Sequence, residues 1–205
     1  MILADVGNRH VHIWEDGHVS HLAFMDAIEQ YGTDEVHYIN VSCAHSDTLA
    51  ALDGWVDISE RLSIEGEYEG MGVDRKALCL SHDDGVFVDA GSAITVDRVA
   101  GGIYQGGFIL PGIHAYAKAY ATISPILDQQ LNRAVDLAVL PKSTRDSVSF
   151  GTIAPIVAVI GQISAGTPLY FTGGDGAYLS RYFEDAIWDE TLLFNGMKKR
   201  LKRKI

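Results

Sequence analysis

The chain alternates between short apolar runs and tight turns that are rich in glycine and aspartate. Short runs of this kind, separated by Asp-Gly turns, predict an antiparallel β-meander at the start of the chain. Apolar residues spaced three and four apart then predict a helix. The elements predicted for this first part are strands at Ile2–Ala4, Val11–Trp14, around Val19 and at Val36–Ser42, and helices at Phe24–Tyr31 and His45–Leu52.

The opening pattern recurs later in the chain. Asp5-Val6-Gly7 is followed by a glycine turn at Gly17, and Asp89-Ala90-Gly91 is followed by a similar turn at Gly102. An internal repeat that carries an aspartate at the same point indicates a duplicated structural unit. We therefore expect an α/β protein with two similar lobes, residues 1-80 and 81-205.

The second half supplies further strands and the longest helical pattern. We expect Pro111 in the first turn of its helix, a capping box formed by Ser143 and Asp146, and a kink at Pro155. The elements predicted here are strands at Val86–Val88, Ile94–Val96, Ile103–Ile109 and Leu169–Phe171, and helices at Gly112–Thr122, Ser143–Ala165 and Met197–Lys204.

Composition narrows the class of protein. The 205 residues are 47% hydrophobic and carry a net charge of -11, which disfavours nucleic acid or an anionic membrane as the main partner. We expect no stretch of about 18 apolar residues, and Asp5 argues against a signal peptide. Cys43 and Cys79 form no CxxC motif, so we expect two reduced, buried thiols in a cytoplasmic protein.

Two Asp-x-Gly turns are the first candidates for chemistry. In Asp5-Val6-Gly7-Asn8 the glycine allows close backbone approach, and the following amides can form an anion-binding concavity. Asp89-Ala90-Gly91-Ser92 has the same Asp-x-Gly arrangement and adds the hydroxyl group of Ser92. Each turn alone fits a plain hairpin. Together with the glycine turn Thr172-Gly173-Gly174-Asp175, which suits an adenosine, they favour a nucleotide site.

Two further motifs have both a chemical and a structural interpretation. In Gly72-Val73-Asp74-Arg75 the aspartate could accept a proton and the arginine could pair with a carboxylate or phosphoryl group. A surface ion pair or a helix start explains the same residues. The glycines of Gly106–Gly112 permit close packing and an exposed helix start, or simply connect a strand to a helix.

These five motifs, in this order and spacing, resemble those of the type III pantothenate kinases of the actin-like ATPase superfamily. The likeness runs to about Gly196, and Leu140–Asp146 is similar to the short epsilonproteobacterial members. The resemblance implies an actin-like (ribonuclease H-like) fold in which each lobe has a mixed five-stranded sheet flanked by helices.

The resemblance also implies a function. Such enzymes use ATP with Mg²⁺ to convert pantothenate to 4'-phosphopantothenate in coenzyme A biosynthesis, require K⁺ or NH₄⁺, and form homodimers. It assigns the general base to Asp74 and the monovalent cation to Asp89. The implied ATP contacts are Asp5, Val6, Gly7, Asn8, Arg9, His10, Val11, His12 and Ser92, and the implied pantothenate contacts are Tyr68, Gly72, Val73, Asp74, Arg75 and Thr152.

The sequence departs from the family pattern in the first turn, where Arg9 replaces a usual Thr or Ser and His12 replaces a frequent Lys. Two alternatives stay open: a non-catalytic regulator of the same fold, and another actin-like phosphotransferase acting on a small molecule. His10 and His12 share a strand face, and we expect partly exposed histidines there rather than a metal site. We expect the basic C-terminal tail to be solvated, and Tyr104, Tyr116 and Tyr120 to make core or dimer contacts.

Overall fold

The computed structural model describes residues 1–202, apart from the side chain of Cys43. The strands are β1 (Ile2–Val6), β2 (Val11–Glu15), β3 (His18–Leu22), β4 (Val36–Asn40), β5 (Trp55–Asp57), β6 (Gly85–Ala90), β7 (Ala93–Ala100), β8 (Ile103–Pro111), β9 (Leu169–Thr172) and β10 (Ile187–Trp188). The α-helices are α1 (Phe24–Tyr31), α2 (Ser46–Ala50), α3 (Val73–Cys79), α4 (Ile113–Ile123), α5 (Thr144–Ser164), α6 (Gly176–Ser180) and α7 (Leu192–Lys202).

The strands form two five-stranded sheets with the same strand order. The first runs β3-β2-β1-β4-β5, and the second runs β8-β7-β6-β9-β10. In the first sheet, β1 pairs antiparallel with β2 and parallel with β4. In the second, β6 pairs parallel with β9. The predicted meander and the predicted pair of mixed five-stranded sheets are confirmed.

By their contacts the residues group into two compact units. The first comprises Met1–Asp84, Val99–Gly106 and the stretch from Glu190 onward, and the second comprises Gly85–Arg98 and Gly107–Asp189. The simpler division into lobes 1-80 and 81-205 stays a prediction.

In the first unit the sheet is covered on both faces, and alternation along β1 decides which residue faces which helix. Ala4 and Val6 pack with Ala27 of α1 in one core cluster. Leu3 packs with helices α3 and α7 in another. Asp5, two residues after Leu3, therefore lies on the sheet face that α3 and α7 cover.

In the second unit α5 packs on the sheet. Ile156 and Ile160 of α5 are buried with Val88 and Phe171. Its N-terminus is capped as predicted, because the Ser143 hydroxyl accepts a hydrogen bond from the Asp146 amide at 3.1 Å. The helix is long and apolar enough to span a membrane by length and composition, so the expectation of no such stretch was wrong. The helix is apolar because its isoleucines pack in the core of the second unit.

Element boundaries were predicted well for α1, which has the expected bounds, and less well elsewhere. Pro111 ends β8 instead of opening α4; proline is tolerated there because β8 is an edge strand. Helix α7 begins at Leu192, five residues before the predicted start. Cys79 is buried as expected. The Cys43 thiol and residues 203 and 204 of the basic tail lie outside the described part.

Candidate active site

The first Asp-x-Gly turn connects β1 to β2 and is closed by the backbone. The Gly7 amide donates to the carbonyl oxygen of His10 at 3.0 Å. A Cβ atom at Gly7 would lie 3.0 Å from the same oxygen, closer than most real Cβ contacts. Asn8, Arg9 and His10 are exposed. The turn therefore needs glycine at this point and presents the next three residues to solvent.

A polar row crosses the sheet beside this turn. Asp5 pairs in register with His12, and His12 pairs in register with His21 of β3. The Nδ1 atoms of His12 and His21 lie 2.6 Å apart, with the two rings edge to face. Burial lowers the pKa of His12 to about 4, helped by positive charge on His21 and on His10. His12 is thus neutral at physiological pH.

His12 is partly exposed on β2, as predicted, whereas His10 precedes that strand and is exposed. Among the described residues, no group of three or more His, Cys, Asp or Glu side chains is placed to hold a metal ion. The partner His21 was missed, although the Asp16-Gly17 hairpin fixes its register with His12 and could have revealed the pair.

Asp74 lies in the first turn of α3, two residues after the N-cap residue Gly72. Its Oδ1 atom accepts a hydrogen bond from the Arg75 amide at 2.8 Å. A Cβ atom at Gly72 would approach this oxygen to 2.5 Å, so a larger residue would displace the carboxylate. The start of a helix is a favourable place for a negative charge because the free amides point toward it.

Arg75, the next residue, is a buried cation with only 6% of its surface exposed. Its guanidinium donates to the hydroxyl of Tyr68 at 2.6 Å and to that of Tyr104 at 3.2 Å. The structure therefore joins two predicted substrate residues, Tyr68 and Arg75. Tyr104 is buried as expected, but its contact with Arg75 was missed because the two residues are 29 positions apart.

The segment that carries Tyr68 is tied to α3 and to β8. Glu67 accepts hydrogen bonds from the Ile64 amide and from the Lys76 ammonium group, both at 2.8 Å. Burial opposes ionisation of Glu67, but these bonds outweigh it and lower its pKa. The Tyr104 amide donates to the carbonyl oxygen of Glu65 at 2.8 Å, which brings Tyr104 beside this segment.

In the second unit, Asp89 stands near the carboxyl end of β6, opposite Thr172 of the neighbouring strand β9. The glycine turn after β9 packs against it: the Asp175 amide donates to the Ala90 oxygen at 2.8 Å. A Cβ atom at Gly173 would overlap the Asp89 carboxylate and lie 2.7 Å from the Ala90 oxygen. Glycine is required here, where φ is also +81°.

The Gly106–Gly112 motif contacts the turn formed by Asp89–Ser92. The Gly112 amide donates to the Ser92 carbonyl at 3.1 Å, and a Cβ atom at Gly112 would lie 2.5 Å from that oxygen. The motif therefore connects β8 to α4 and also supports the Asp89–Ser92 turn by close packing. Ser92 itself is exposed.

Thr152 lies in the middle of α5 and is fully buried. Its hydroxyl donates to the carbonyl oxygen of Val148, one turn earlier, at 2.9 Å. Its contact with a substrate stays a prediction. Sequence reasoning also missed Arg133, which forms an ion pair with Asp175 at 2.7 Å and lies over the ring of Tyr178.

Comparison with known proteins decides the family. The sequence model of the family described as type III pantothenate kinase matches residues 55–165, which include the Asp74, Asp89 and Gly112 motifs. This chain belongs to the type III pantothenate kinase family. A type III pantothenate kinase from Helicobacter hepaticus is 39% identical over the whole of both chains. The family predicted from the five motifs is confirmed.

Solved structures agree with the fold of a type III pantothenate kinase. A crystal structure from Campylobacter jejuni, named as a candidate Baf family transcriptional activator, is 38% identical, covers 98% of both chains and has a TM-score of 0.89. The ethanolamine utilization protein EutJ from Carboxydothermus hydrogenoformans has a TM-score of 0.50 at 13% identity, covering 95% of this chain and 87% of its own. The latter likeness shows the fold alone, and the predicted actin-like fold is confirmed.

Proposed function

We propose that this protein phosphorylates pantothenate with ATP and forms 4'-phosphopantothenate, the first step of coenzyme A biosynthesis. The observation that carries the proposal is the Gly72–Arg75 helix start, where a carboxylate and a buried guanidinium are adjacent. Its full-length relative from Helicobacter hepaticus is named a type III pantothenate kinase, which supports the choice of substrate.

Asp74 is the general base in this proposal. It accepts the proton of the pantothenate hydroxyl as that oxygen attacks the γ-phosphorus of ATP, and ADP leaves. Gly72 supports the role because it keeps the space that the Asp74 carboxylate occupies. General-base help of this kind is worth roughly 10²–10⁴ in rate.

Arg75 binds the pantothenate carboxylate in this proposal. A planar guanidinium with five N–H donors can hold a carboxylate and two hydroxyl groups together. Tyr68 and Tyr104 already orient it. Tyr68, Gly72, Val73 and Thr152 complete the proposed pantothenate contacts.

ATP binds with Mg²⁺ at the residues from Asp5 to His12 and at Ser92. Phosphoryl transfer requires mainly positioning and charge neutralisation from the protein. The tight backbone of the Gly7 turn and the exposed Asn8 and Arg9 support this assignment.

Asp89 holds the monovalent cation, K⁺ or NH₄⁺, in this proposal. A carboxylate oxygen is a suitable ligand for a hard cation. The position of Asp89 near the carboxyl end of β6, packed against the glycine turn after β9, supports this role.

The protein works as a cytoplasmic homodimer that binds neither nucleic acid nor membrane. The net charge of -11 supports the absence of nucleic-acid binding. The second unit supports the dimer because it exposes large apolar side chains, which a second copy would cover. They are Ile109, Ile123, Ile126, Val139 and Leu140, each 58–78% exposed. Light scattering of the purified protein tests the dimer, and a monomer at micromolar concentration contradicts it.

Exchange of Asp74 for asparagine tests the catalytic assignment. Asp74→Asn should lower kcat by roughly 10²–10⁴ and leave thermal unfolding nearly unchanged. Asp47→Asn is the matched control, because Asp47 is an exposed aspartate in the first turn of α2. The measurement is ADP release with pantothenate, with and without K⁺. Normal turnover by Asp74→Asn rules out Asp74 as the base.

A second candidate function is a non-catalytic regulator, favoured by the name of the Campylobacter jejuni structure. The same assay separates the two functions. A folded wild-type protein that consumes no ATP with pantothenate, in the presence of K⁺, supports the regulator and rejects the kinase.

A further inference from the structure

We propose that His12 and His21 act as one unit that takes up a proton when ATP binds, so that their shared positive charge meets the phosphates. The inference rests on the proposed ATP site at the turn from Asp5 to His12. It assigns a positioning role to His21, which lies outside that turn, on β3.

The geometry of the pair sets its proton count. The two Nδ1 atoms are 2.6 Å apart, so one ring donates its Nδ1–H and the other accepts. In the neutral pair only the accepting ring carries a proton on Nε2, and the other Nε2 is an acceptor. One added proton places N–H on both Nε2 atoms and keeps the bond between the rings. A second added proton would break that bond.

Phosphate oxygens only accept hydrogen bonds from protein groups. The singly protonated pair offers two Nε2–H donors and therefore binds phosphate better than the neutral pair, which offers one. Arg9 is the only lysine or arginine between Asp5 and His12. The pair therefore supplies a second positive charge at the turn, and only when an anion is present to stabilise it.

The surroundings keep the pair neutral in the absence of an anion. Burial and His10, whose ring centre lies 6.4 Å from that of His12, oppose a positive charge on the pair. The carboxylate of Asp5, the register neighbour on β1, favours one instead. Helices α3 and α7 pack on the same sheet face, near Leu3 and Trp14. On α7, Lys198 lies 4.1 Å from the Trp14 ring centre. Helix α3 carries the titratable residues Asp74, Arg75 and Lys76, of which Lys76 is paired with Glu67.

Because His12 is partly buried, its pKa has to change by a large amount when ATP binds. The pKa of His12, about 4 without nucleotide, has to rise by about three pH units for the pair to be half protonated at neutral pH. Shifts of that size occur at active sites where full charges meet in partly buried positions. ATP binding should then be coupled to the uptake of about half a proton at neutral pH, and low pH should strengthen it.

Calorimetry tests the proton directly. Binding of the Mg²⁺ complex of the non-hydrolysable analogue AMP-PNP is measured at pH 7.5 in buffers of different ionisation enthalpy, and the slope gives the protons taken up. We expect the wild type to take up more protons than His21→Asn, whose amide can keep the hydrogen bond but cannot hold the charge. His18→Asn is the matched control because His18 is an exposed histidine on the same strand.

The pH dependence of the KM for ATP is a second readout, and a purely structural role of His21 would not change it. The KM for ATP of wild type and His18→Asn should rise by up to tenfold per pH unit between pH 6 and 8. That of His21→Asn should rise less steeply. Because titration of ATP itself contributes equally to all three proteins, the difference between variants isolates the pair.

The outcomes separate this inference from the proposed function. Turnover with equal proton uptake and equal pH slopes in wild type and His21→Asn overturns the proton-sharing pair and leaves the kinase standing. A wild type that neither binds AMP-PNP nor turns over ATP rejects the kinase itself. If His21→Asn fails to fold, His21→Gln replaces it in both assays, and loss of the extra proton in either variant supports the pair.

Discussion

Gly196 offers the sharpest test of how packing positions the site. It lies in α7, where that helix crosses α3 at Ala77, three residues after Asp74. A Cβ atom at Gly196 would overlap the Ala77 carbonyl oxygen and lie 2.8 Å from the carbonyl carbon. We predict that Gly196→Ala destabilises the protein and lowers its activity, although alanine is the better helix former.

Two opposing terms set the magnitude. Replacing glycine by alanine inside a helix favours folding by about 1 kcal/mol. Carbon atoms in contact normally lie about 3.5–4.0 Å apart. A Cβ atom at position 196, 2.8 Å from the Ala77 carbonyl carbon, would therefore be at least 0.7 Å too close. Both contacting residues, at positions 196 and 77, belong to helices. Overpacking of this kind typically costs ~1–3 kcal/mol. Since a backbone carbonyl cannot rotate away, we expect the upper part of that range and a net loss of about 1–2 kcal/mol.

Gly161→Ala is the matched control. Gly161 lies inside α5, and its Cβ atom would meet the Phe183 ring at 3.5 Å, an ordinary contact. The same substitution should therefore stabilise the protein by up to about 1 kcal/mol. Thermal unfolding should show a higher Tm for Gly161→Ala and a Tm lower by several degrees for Gly196→Ala. If both variants gain stability, the α3–α7 contact does not restrict position 196 and the reasoning is refuted.

Three more predictions concern a helix cap, a titrating pair and the buried cation. Ser143→Ala removes the cap of α5 and should cost about 1 kcal/mol in denaturant unfolding; no loss would show that the cap is dispensable. Glu67 has a lowered pKa, so its bond to Lys76 stabilises the fold above the usual carboxyl range and is lost as pH falls through the folded pKa. The stability deficit of Glu67→Gln should therefore be present at neutral pH and vanish in acid, and a deficit that grows in acid contradicts this. Arg75→Lys should raise the KM for pantothenate at least tenfold, because an ammonium group cannot reproduce the guanidinium fork; an unchanged KM excludes the proposed carboxylate contact.

Local patterns predicted much of the fold because local chemistry decided those parts. The helix Phe24–Tyr31 follows from the spacing of its apolar residues, and the cap at Ser143 follows from side-chain and backbone hydrogen bonding within one turn. Boundaries failed where distant packing mattered. Leu192 and Leu193 belong to α7 and are buried within the first unit, whereas the sequence pattern predicted a start at Met197.

The sequence by itself determined the duplicated α/β design, the family, and the residue types at the proposed site. These follow from repeats, turns and motifs whose members are neighbours along the chain. Only the tertiary structure decided that Tyr104 holds Arg75, that Gly112 supports the Ser92 turn, and that Gly196 sets the distance between α3 and α7. Such contacts join residues that are distant in the chain, and they depend on close approach of backbone and side chains, which no local pattern encodes.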